Sequence, residues 1–447
     1  MPISIGEHFT YQKIFKITIF PIIMMVFISL YSIIDGIFIA NFSNNDAFAA
    51  VNLIFPFIMI IGSIGFMFGA GGTALVSKYL GEKNNDKANR TFSLIIYTTI
   101  VVGIIFSVVG FFIVKPIVNL MASFSYGSTD QMVDYAVLYG KIMMLGQAAF
   151  MLQNVFQSFF MVAERGRISF RFTLAAGVTN IVLDALFIVV FKLGILGAAL
   201  GTIIGYVVGG FGPLIYFIVK KDLPIKLCKT GINFRDLGQS IYNGMSEFIG
   251  NISFNLVAVV YNGQLLKAYG VNGVSAYGIV MYVSFVFVAI FIGYSLGMAP
   301  VVGYNYGAQN KDELHNVLKK SLIIIAITSM IMCLLSLSTS YPFALLFSRG
   351  EEELIKLTVK AMLIYSIAYL AMGFSIYSSS FFTALNNGAV SAIISLCRTL
   401  VFQVGLAFLF PLLFGKESIW WAIVVGEGLA ILLAAIFLIS KKKRYGY

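Results

Sequence analysis

Long apolar runs, separated by short charged or turn-rich segments, constrain the fold of this sequence more than any other feature. Of its 447 residues, 59% are apolar and only 11% are charged, and the mean hydropathy is +0.93. Soluble globular proteins carry about 45–50% apolar and about 25% charged residues. Because a helix that crosses a bilayer needs roughly 20 apolar residues, the runs predict an all-α integral membrane protein rather than a soluble enzyme.

Twelve of the runs are long enough to form transmembrane helices. Prolines inside a run, such as Pro56 and Pro300, predict kinks rather than helix ends, because neighbouring helices in a membrane bundle can bind the freed backbone groups. The predicted spans are 14–40, 47–77, 92–119, 132–162, 169–191, 196–219, 235–262, 272–303, 317–347, 354–384, 389–413 and 418–440.

The basic residues are distributed unevenly among the segments between these spans. If the N-terminus lies in the cytoplasm, 21 of the 30 Lys and Arg residues fall in cytoplasmic segments or the span ends next to them, and six fall on the outer side. The positive-inside rule therefore predicts that both termini are cytoplasmic. The same bias accounts for the net charge of +11, so we expect contacts with membrane lipids and no nucleic-acid partner.

The sequence lacks the residue patterns of metal sites and membrane enzymes. Its three Cys residues lie far apart, and its two His residues, His8 and His315, lie outside the apolar runs. Neither the DDxxD pattern of phosphate-handling enzymes nor the HExxH pattern of zinc proteases is present. We therefore expect no enzyme activity, no resident metal and no cofactor.

The chain contains one internal repeat. The segment Tyr79–Asp86 after the second span shares a Y/N-x-G-x-x-N pattern with Asn305–Asp312 after the eighth, 226 residues later. Ser158–Gly166 parallels Ser380–Gly388 at a separation of 222 residues. Because each pair occupies the same place in its half, the two halves are predicted to share one arrangement of six helices.

Six spans per half give both halves the same orientation in the membrane. They predict two six-helix lobes related by a pseudo-two-fold axis along the membrane normal, an arrangement typical of alternating-access transporters. A channel would more naturally use a ring of subunits around a filter, so a monomeric transporter is expected. The predicted parts are an N-terminal lobe at 13–219, a cytoplasmic linker at 220–234 and a C-terminal lobe at 235–440.

Four acidic residues lie more than four residues from the ends of the predicted spans that contain them: Asp35, Asp184, Glu247 and Glu427. A charge at the bilayer centre costs about 2.5–3.5 kcal/mol on insertion scales, and such residues usually mark ion or substrate pathways. At about 1.5 Å per residue, Asp35 and Asp184 both lie roughly 9–12 Å below the outer surface, so they can share a site. Asn180 precedes Asp184 by four residues and faces the same side of its helix.

Two carboxylates in one buried site have the chemistry needed for coupling to an ion. Burial and like-charge repulsion favour a state in which the pair holds one proton, and a monovalent cation can replace that proton. Because the exchange changes a buried charge, it can bias a helix between two positions, as a switch requires.

Three parts of the sequence resemble the multidrug and toxic compound extrusion (MATE) family. They are Ser29–Phe38 in the first span, the paired loops Tyr79–Asp86 and Asn305–Asp312, and Thr179–Asp184 in the fifth span, which is similar to the prokaryotic DinF-like branch. The resemblance extends over nearly the whole chain. It implies the MATE fold and an antiporter in a prokaryotic plasma membrane that exports organic, often cationic, drugs in exchange for H⁺ or Na⁺.

The resemblance also implies where the coupling ion binds. The family's cation site lies in the N-terminal lobe, and the matching residues are Asp35, Asn180 and Asp184, with Na⁺ as the possible metal ion at the two Asp residues. The alternative is an interhelical hydrogen-bond network that only holds the lobe together. Polar residues on neighbouring spans that could supplement the site are Asn154, Thr202 and Tyr139.

The acidic residues of the second half have several possible roles. In the NorM-like branch of the family a Glu on the seventh helix serves cation coupling, and Glu247 lies on that helix here. Glu247 therefore couples to a cation, attracts a cationic substrate, or pairs with Arg398 of the eleventh span. Glu427 in the last span is expected to be a structural hydrogen-bond partner.

A flippase of lipids or lipid-linked sugars, from the same superfamily, is the alternative transport function. Such proteins tend to hold pyrophosphate with several basic side chains in the cavity. More than four residues from the end of a predicted span, this sequence has only three basic residues, so the flippase function is disfavoured. These residues are Lys141, Lys360 and Arg398.

Overall fold

The computed structural model describes residues 4–42, 45–123, 129–348 and 351–447, and these residues are helical with no strand. Two π-helical segments, Ala185–Val190 and Cys397–Val404, continue α6 and join α11 to α12. The α-helices are α1 (Tyr11–Phe42), α2 (Asn45–Gly81), α3 (Asn85–Ser123), α4 (Asp130–Leu145), α5 (Gln147–Val162), α6 (Gly166–Asp184), α7 (Ile195–Val219), α8 (Phe234–Gly307), α9 (Lys311–Phe347), α10 (Glu352–Ala384), α11 (Gly388–Leu396), α12 (Gly405–Phe414) and α13 (Ile419–Tyr445).

The described helices account for twelve membrane crossings. Helices α4 and α5 meet at Gly146 with a bend of 54° and together have the apolar length of one span. Helix α8 has 74 residues, which is about 110 Å of helix and far more than the roughly 30 Å of a bilayer core. It breaks at Gly270, where φ is 63° and ψ is −150°, so its two arms are separate crossings.

The internal prolines do not end the helices in which they lie. Pro56 lies inside α2 and Pro300 lies inside the second arm of α8, as the sequence predicts. The backbone between Val219 and Phe234 is not helical. We call α1–α7 the first half of the molecule and α8–α13 the second half.

The two halves meet where α1 and α2 pack against α8. The backbones of α2 and α8 approach each other closely, because small residues occupy the crossing points. A Cβ atom added at Gly71 would collide with the carbonyl of Ser240, and one added at Gly81 would collide with the carbonyl of Tyr304. Any larger side chain at these two positions would therefore push the halves apart.

Side-chain contacts tie the halves together at the end that carries both termini. The Tyr79 hydroxyl donates a hydrogen bond of 2.8 Å to Asp236, joining α2 to the start of α8. The N-terminal segment crosses the same end, because the Ile5 amide donates to Glu164 at 2.9 Å and the Phe9 amide donates to Glu313 at 2.9 Å. These bonds join the two halves and the N-terminal segment at this end of the molecule.

Candidate cation site

The first half contains a pair of carboxyl groups, one half-buried and one fully buried. Asp35 lies on α1 and Asp184 is the last residue of α6, and the two carboxyl groups lie within hydrogen-bonding reach of each other. The side chain of Asp184 is fully buried. Oδ1 of Asp35 and both carboxyl oxygens of Asp184 accept no hydrogen bond from the described residues. Buried acceptors without donors are costly, so the pair favours a bound proton or cation.

The local structure around Asp184 makes room for its carboxylate. After Asp184 the helix continues as the wider π-helical segment Ala185–Val190, a feature that often marks functional sites. Gly201 on α7 faces the carboxylate so closely that an added Cβ atom would collide with Oδ1 of Asp184. A glycine at this position therefore allows α7 to pack against α6 without displacing Asp184.

Replacing Gly201 with Ala is expected to displace the Asp184 carboxylate while leaving the helices in place. Because misplacing a reacting group by about 1 Å costs up to about 100-fold in rate, we expect coupled efflux to fall roughly tenfold. Efflux of a fluorescent organic cation from cells, at matched expression, measures this. Gly36→Ala is the control, since a Cβ atom at Gly36 on α1 would meet nothing within 4 Å. Equal efflux by the two variants would show that Gly201 does not hold the carboxylate in place.

Asn180 and Thr202 lie beside the carboxyl pair as the sequence predicts. The Asn180 amide lies next to Asp184, and its Nδ2 donates to Thr202 Oγ1 at 3.4 Å. The Thr202 hydroxyl in turn donates to the carbonyl of Ala198 at 2.9 Å. Oδ1 of Asn180 is buried and accepts no hydrogen bond from the described residues. This oxygen is therefore a further acceptor in the site.

A small cavity of about 10 Å³ lies next to these residues, which is room for about one water molecule or one monovalent ion. Several of its lining residues are not predicted from the sequence, among them Gln153, whose Oε1 is buried without a donor from the described residues. The cavity is lined by Tyr31, Gln153, Ala176, Asn180, Thr202, Gly205 and Tyr206.

The other two polar residues predicted to contribute to the site, Tyr139 and Asn154, differ in their positions. Tyr139 on α4 is buried and interacts electrostatically with both Asp35 and Asp184. Asn154 does not line the cavity, and its Nδ2 donates at 3.1 Å to the carbonyl of Phe150 on its own helix. Because successive residues of a helix point about 100° apart, Gln153 faces the cavity and its neighbour Asn154 does not.

The second half contains a buried ion pair between Arg398 and Glu427. Arg398 Nε donates to the two carboxylate oxygens of Glu427 at 2.9 and 3.0 Å. Gln403 Nε2 donates to the same carboxylate at 2.7 Å, and the Ser375 hydroxyl donates at 3.1 Å. Glu427 is therefore a hydrogen-bond partner, as the sequence predicts, and the alternative pairing of Arg398 with Glu247 is wrong.

Arg398 does not pair with Glu247 because of the way α8 is rotated about its axis. Ser246 faces α10 and α11, because its hydroxyl lies 3.1 Å from that of Thr383 and its carbonyl accepts from Ser395 at 3.0 Å. Glu247 is the next residue and is turned about 100° away from them. Its side chain is half-buried and forms no ion pair with the described residues.

Comparison with known proteins identifies the family of this chain. The sequence profile of the MatE family matches residues 21–186 and 247–409, which is more than half of the chain. The chain belongs to the MATE family. This MATE chain is 26% identical over 448 residues to the multidrug export protein MepA of Staphylococcus haemolyticus, covering 98% of this chain and 96% of the relative. It is 25% identical to MepA of Staphylococcus aureus strain MSSA476, with the same coverage.

Solved structures of MATE transporters have the same fold as this MATE chain. A crystal structure of MATE in complex with MaL6 superposes with a TM-score of 0.91 at 20% identity, covering 97% of this chain and 96% of that one. A MOP superfamily transporter from Pyrococcus furiosus superposes with a TM-score of 0.90 at 20% identity and equal coverage. The all-helical, multi-pass membrane fold predicted from the sequence is thereby confirmed, and the family consists of transporters rather than enzymes.

Proposed function

We propose that this protein is a cation-coupled multidrug exporter and that Asp35 and Asp184 form its coupling site. The observation that carries the proposal is the pair of adjoining carboxyl groups in which three of the four oxygens are buried with no donor among the described residues. The names of the MepA relatives, which are multidrug export proteins, support drug export as the transport reaction.

The position of α1 suggests how ion binding changes the conformation. Helix α1 carries Asp35 and packs against both α6, which carries Asp184, and α8 of the second half. Its contact with α8 is intimate, since Gly293 on α8 faces the backbone of Pro21 and Ile22. A bound proton or cation holds the two carboxylates together, and its release lets them repel, which biases α1 against the second half.

The coupling ion is H⁺ or Na⁺, and both fit a site built from carboxylate and amide oxygens. Purified protein in proteoliposomes, loaded with an organic cation dye, distinguishes them when a pH gradient and a Na⁺ gradient are imposed separately. Dye accumulation driven by one gradient identifies the ion. Dye movement that neither gradient accelerates would overturn cation coupling.

We further propose that both termini lie in the cytoplasm of a prokaryotic cell. The ends of α2, α5 and α8, together with the N-terminal segment, meet at one end of the molecule, and the basic loops lie there. A cysteine at exposed Lys226, between α7 and α8, is then expected to resist an impermeant thiol reagent added to cells. A cysteine at exposed Lys192, between α6 and α7, is expected to react. The reverse pattern of labelling would contradict this orientation.

Glu247 is the candidate for attracting a cationic substrate in the second half. Because its half-buried carboxylate forms no ion pair among the described residues, it has a charge to offer to a ligand. Glu247→Gln is expected to raise the KM for a cationic dye several-fold while leaving the KM for a neutral substrate unchanged. Transport assays with two such substrates measure this. An equal change for both substrates would show that Glu247 does not recognise charge.

The flippase alternative is not favoured by the basic residues of the spans. Arg398 is bound by Glu427, and Lys360 pairs with Glu417 at 2.6 Å. Lys141 lies 5.3 Å from the ring centre of Phe111. Two of the three cations are therefore already engaged by carboxylates and are not free to hold a pyrophosphate group.

A further inference from the structure

The repeat of the chain extends through the fifth and sixth spans of each half at a nearly constant separation. Gly166 begins α6 and Gly388 begins α11, and these residues are 222 positions apart. Gly194 and Gly415, which precede the next spans, both have a positive φ, of 55° and 82°, and are 221 positions apart. Residues are therefore paired between the halves at a separation of 222 as far as the fifth span, and of 221 in the sixth span, where the buried Gly201, Gly205 and Gly209 then match the buried Ala422, Gly426 and Ala430.

This pairing relates the cavity of the first half to the ion pair of the second. Gln153, Ala176 and Tyr206 all line the cavity. Adding 222 to the first two numbers and 221 to the third gives three residues of the second half that form one hydrogen-bonded cluster. These residues are Ser375, Arg398 and Glu427.

The paired residues also face each other in both halves. In the first half, Ala176 and Tyr206 line the same small cavity. Arg398 and Glu427 meet at 2.9 Å. In the first half Ala176 and Tyr206 border a cavity near the carboxyl pair, whereas in the second half the matching positions carry a cation and a carboxylate.

The electrostatic states of the two sites are opposite. The Glu427 carboxylate is fully buried, and both of its oxygens accept hydrogen bonds from Arg398. The oxygens of Asp184 in the first half have no donor among the described residues. A guanidinium does not lose its proton in a protein and cannot leave its chain, so the second site holds a cation that it cannot exchange.

We propose that Arg398 is a tethered counterpart of the coupling ion, which keeps the second half permanently loaded. This inference rests on the proposed function, because it assigns the exchangeable ion to the first half alone. Arg398 and Glu427 are then positioning residues that make the second half insensitive to the ion gradient, and each transport cycle is coupled through the Asp35–Asp184 site only.

The test removes the tethered cation and measures the coupling stoichiometry. In proteoliposomes with the membrane potential held at zero, the logarithm of substrate accumulation is plotted against the driving ion gradient, and the slope gives the number of ions exchanged. Arg398→Ala leaves Glu427 free to take an ion, so its slope is expected to exceed that of the wild type by one ion. The double variant Arg398→Ala with Glu427→Gln is expected to return to the wild-type slope. A merely structural ion pair predicts no change of slope.

A second readout follows the Glu427 carboxyl itself. Dicyclohexylcarbodiimide modifies protonated carboxyl groups in apolar surroundings, and mass spectrometry locates the modified residue. Glu427 is expected to stay unmodified in the wild type and to become modified in Arg398→Ala, with protection by the coupling ion. Modification of Glu427 in the wild type to the same extent as Asp184 would overturn the proposal.

The slope measured for a variant is interpreted only after its folding has been checked by size-exclusion chromatography. An unchanged slope for natively eluting Arg398→Ala would overturn the tethered-cation proposal. If that variant does not reach the membrane, the double variant decides: a wild-type slope agrees with the proposal, whereas loss of its coupling would overturn it, because the second half would then take part in coupling. Asp184→Asn tests the proposed function separately: a wild-type slope would overturn that function, and the carbodiimide reaction of Glu427 would still report on Arg398.

Discussion

Asp184→Asn and Asp35→Asn are each expected to abolish coupled efflux while the protein still folds and inserts. Asn keeps the shape and hydrogen bonding of Asp but cannot change its charge, so the signal carried by the proton or cation is lost. Efflux of an organic cation from cells, at equal amounts of membrane protein, is expected to fall to the level of cells that lack the transporter.

The double variant tests whether the two carboxylates act as one unit. Because the unit is already lost in either single variant, combining the substitutions is expected to cause no further loss. Asp236→Asn is a matched control, since Asp236 is also buried but accepts hydrogen bonds from Tyr79 and Thr91. It is expected to retain coupled efflux. Normal drug resistance in cells expressing Asp184→Asn would show that the carboxyl pair is structural.

Glu427→Gln is expected to lower the stability of the protein strongly. The side chain of Glu427 is 0% exposed and that of Arg398 only 18% exposed, so removing the carboxylate charge leaves a guanidinium largely buried without its counter-ion. Breaking such a pair costs about 3–5 kcal/mol. The thermal unfolding midpoint in detergent measures the loss.

Two further variants make this result specific to the buried ion pair. Arg398→Met combined with Glu427→Gln removes both charges and is expected to recover most of the lost stability. Glu417→Gln breaks an ion pair with Lys360 whose side chains are 66% and 47% exposed, so little change is expected. Unfolding of Glu427→Gln at the wild-type temperature would contradict the burial argument.

The fold could be predicted from the sequence because the bilayer leaves few alternatives. Backbone groups in hydrocarbon must be bonded internally, so each apolar run becomes a helix, and Pro56 and Pro300 stay inside their helices. Local breaks in the helices cannot be predicted from hydropathy in the same way. The bend at Gly146 divides one predicted span into α4 and α5, and the π-helical segments depend on packing against neighbouring helices rather than on hydropathy.

The sequence predicts how deep in the membrane the residues of the candidate site lie, but only partly predicts the direction in which their side chains point. Counting residues from the loops placed Asp35 and Asp184 at one level, and helical spacing placed Asn180 with them. The direction of a side chain around a helix depends on tertiary rotation. For that reason Gln153 lines the cavity in place of Asn154, and Arg398 meets Glu427 and not Glu247.

Coupling of substrate export to an ion gradient through the Asp35–Asp184 pair can be measured in proteoliposomes. Wild-type protein and Asp184→Asn are compared, with substrate uptake followed with and without the driving gradient. The wild type is expected to concentrate substrate when the gradient is imposed, whereas Asp184→Asn is expected to let substrate only equilibrate. Concentration of substrate by Asp184→Asn to the wild-type level, at equal protein per vesicle, would show that the pair does not couple transport to the ion.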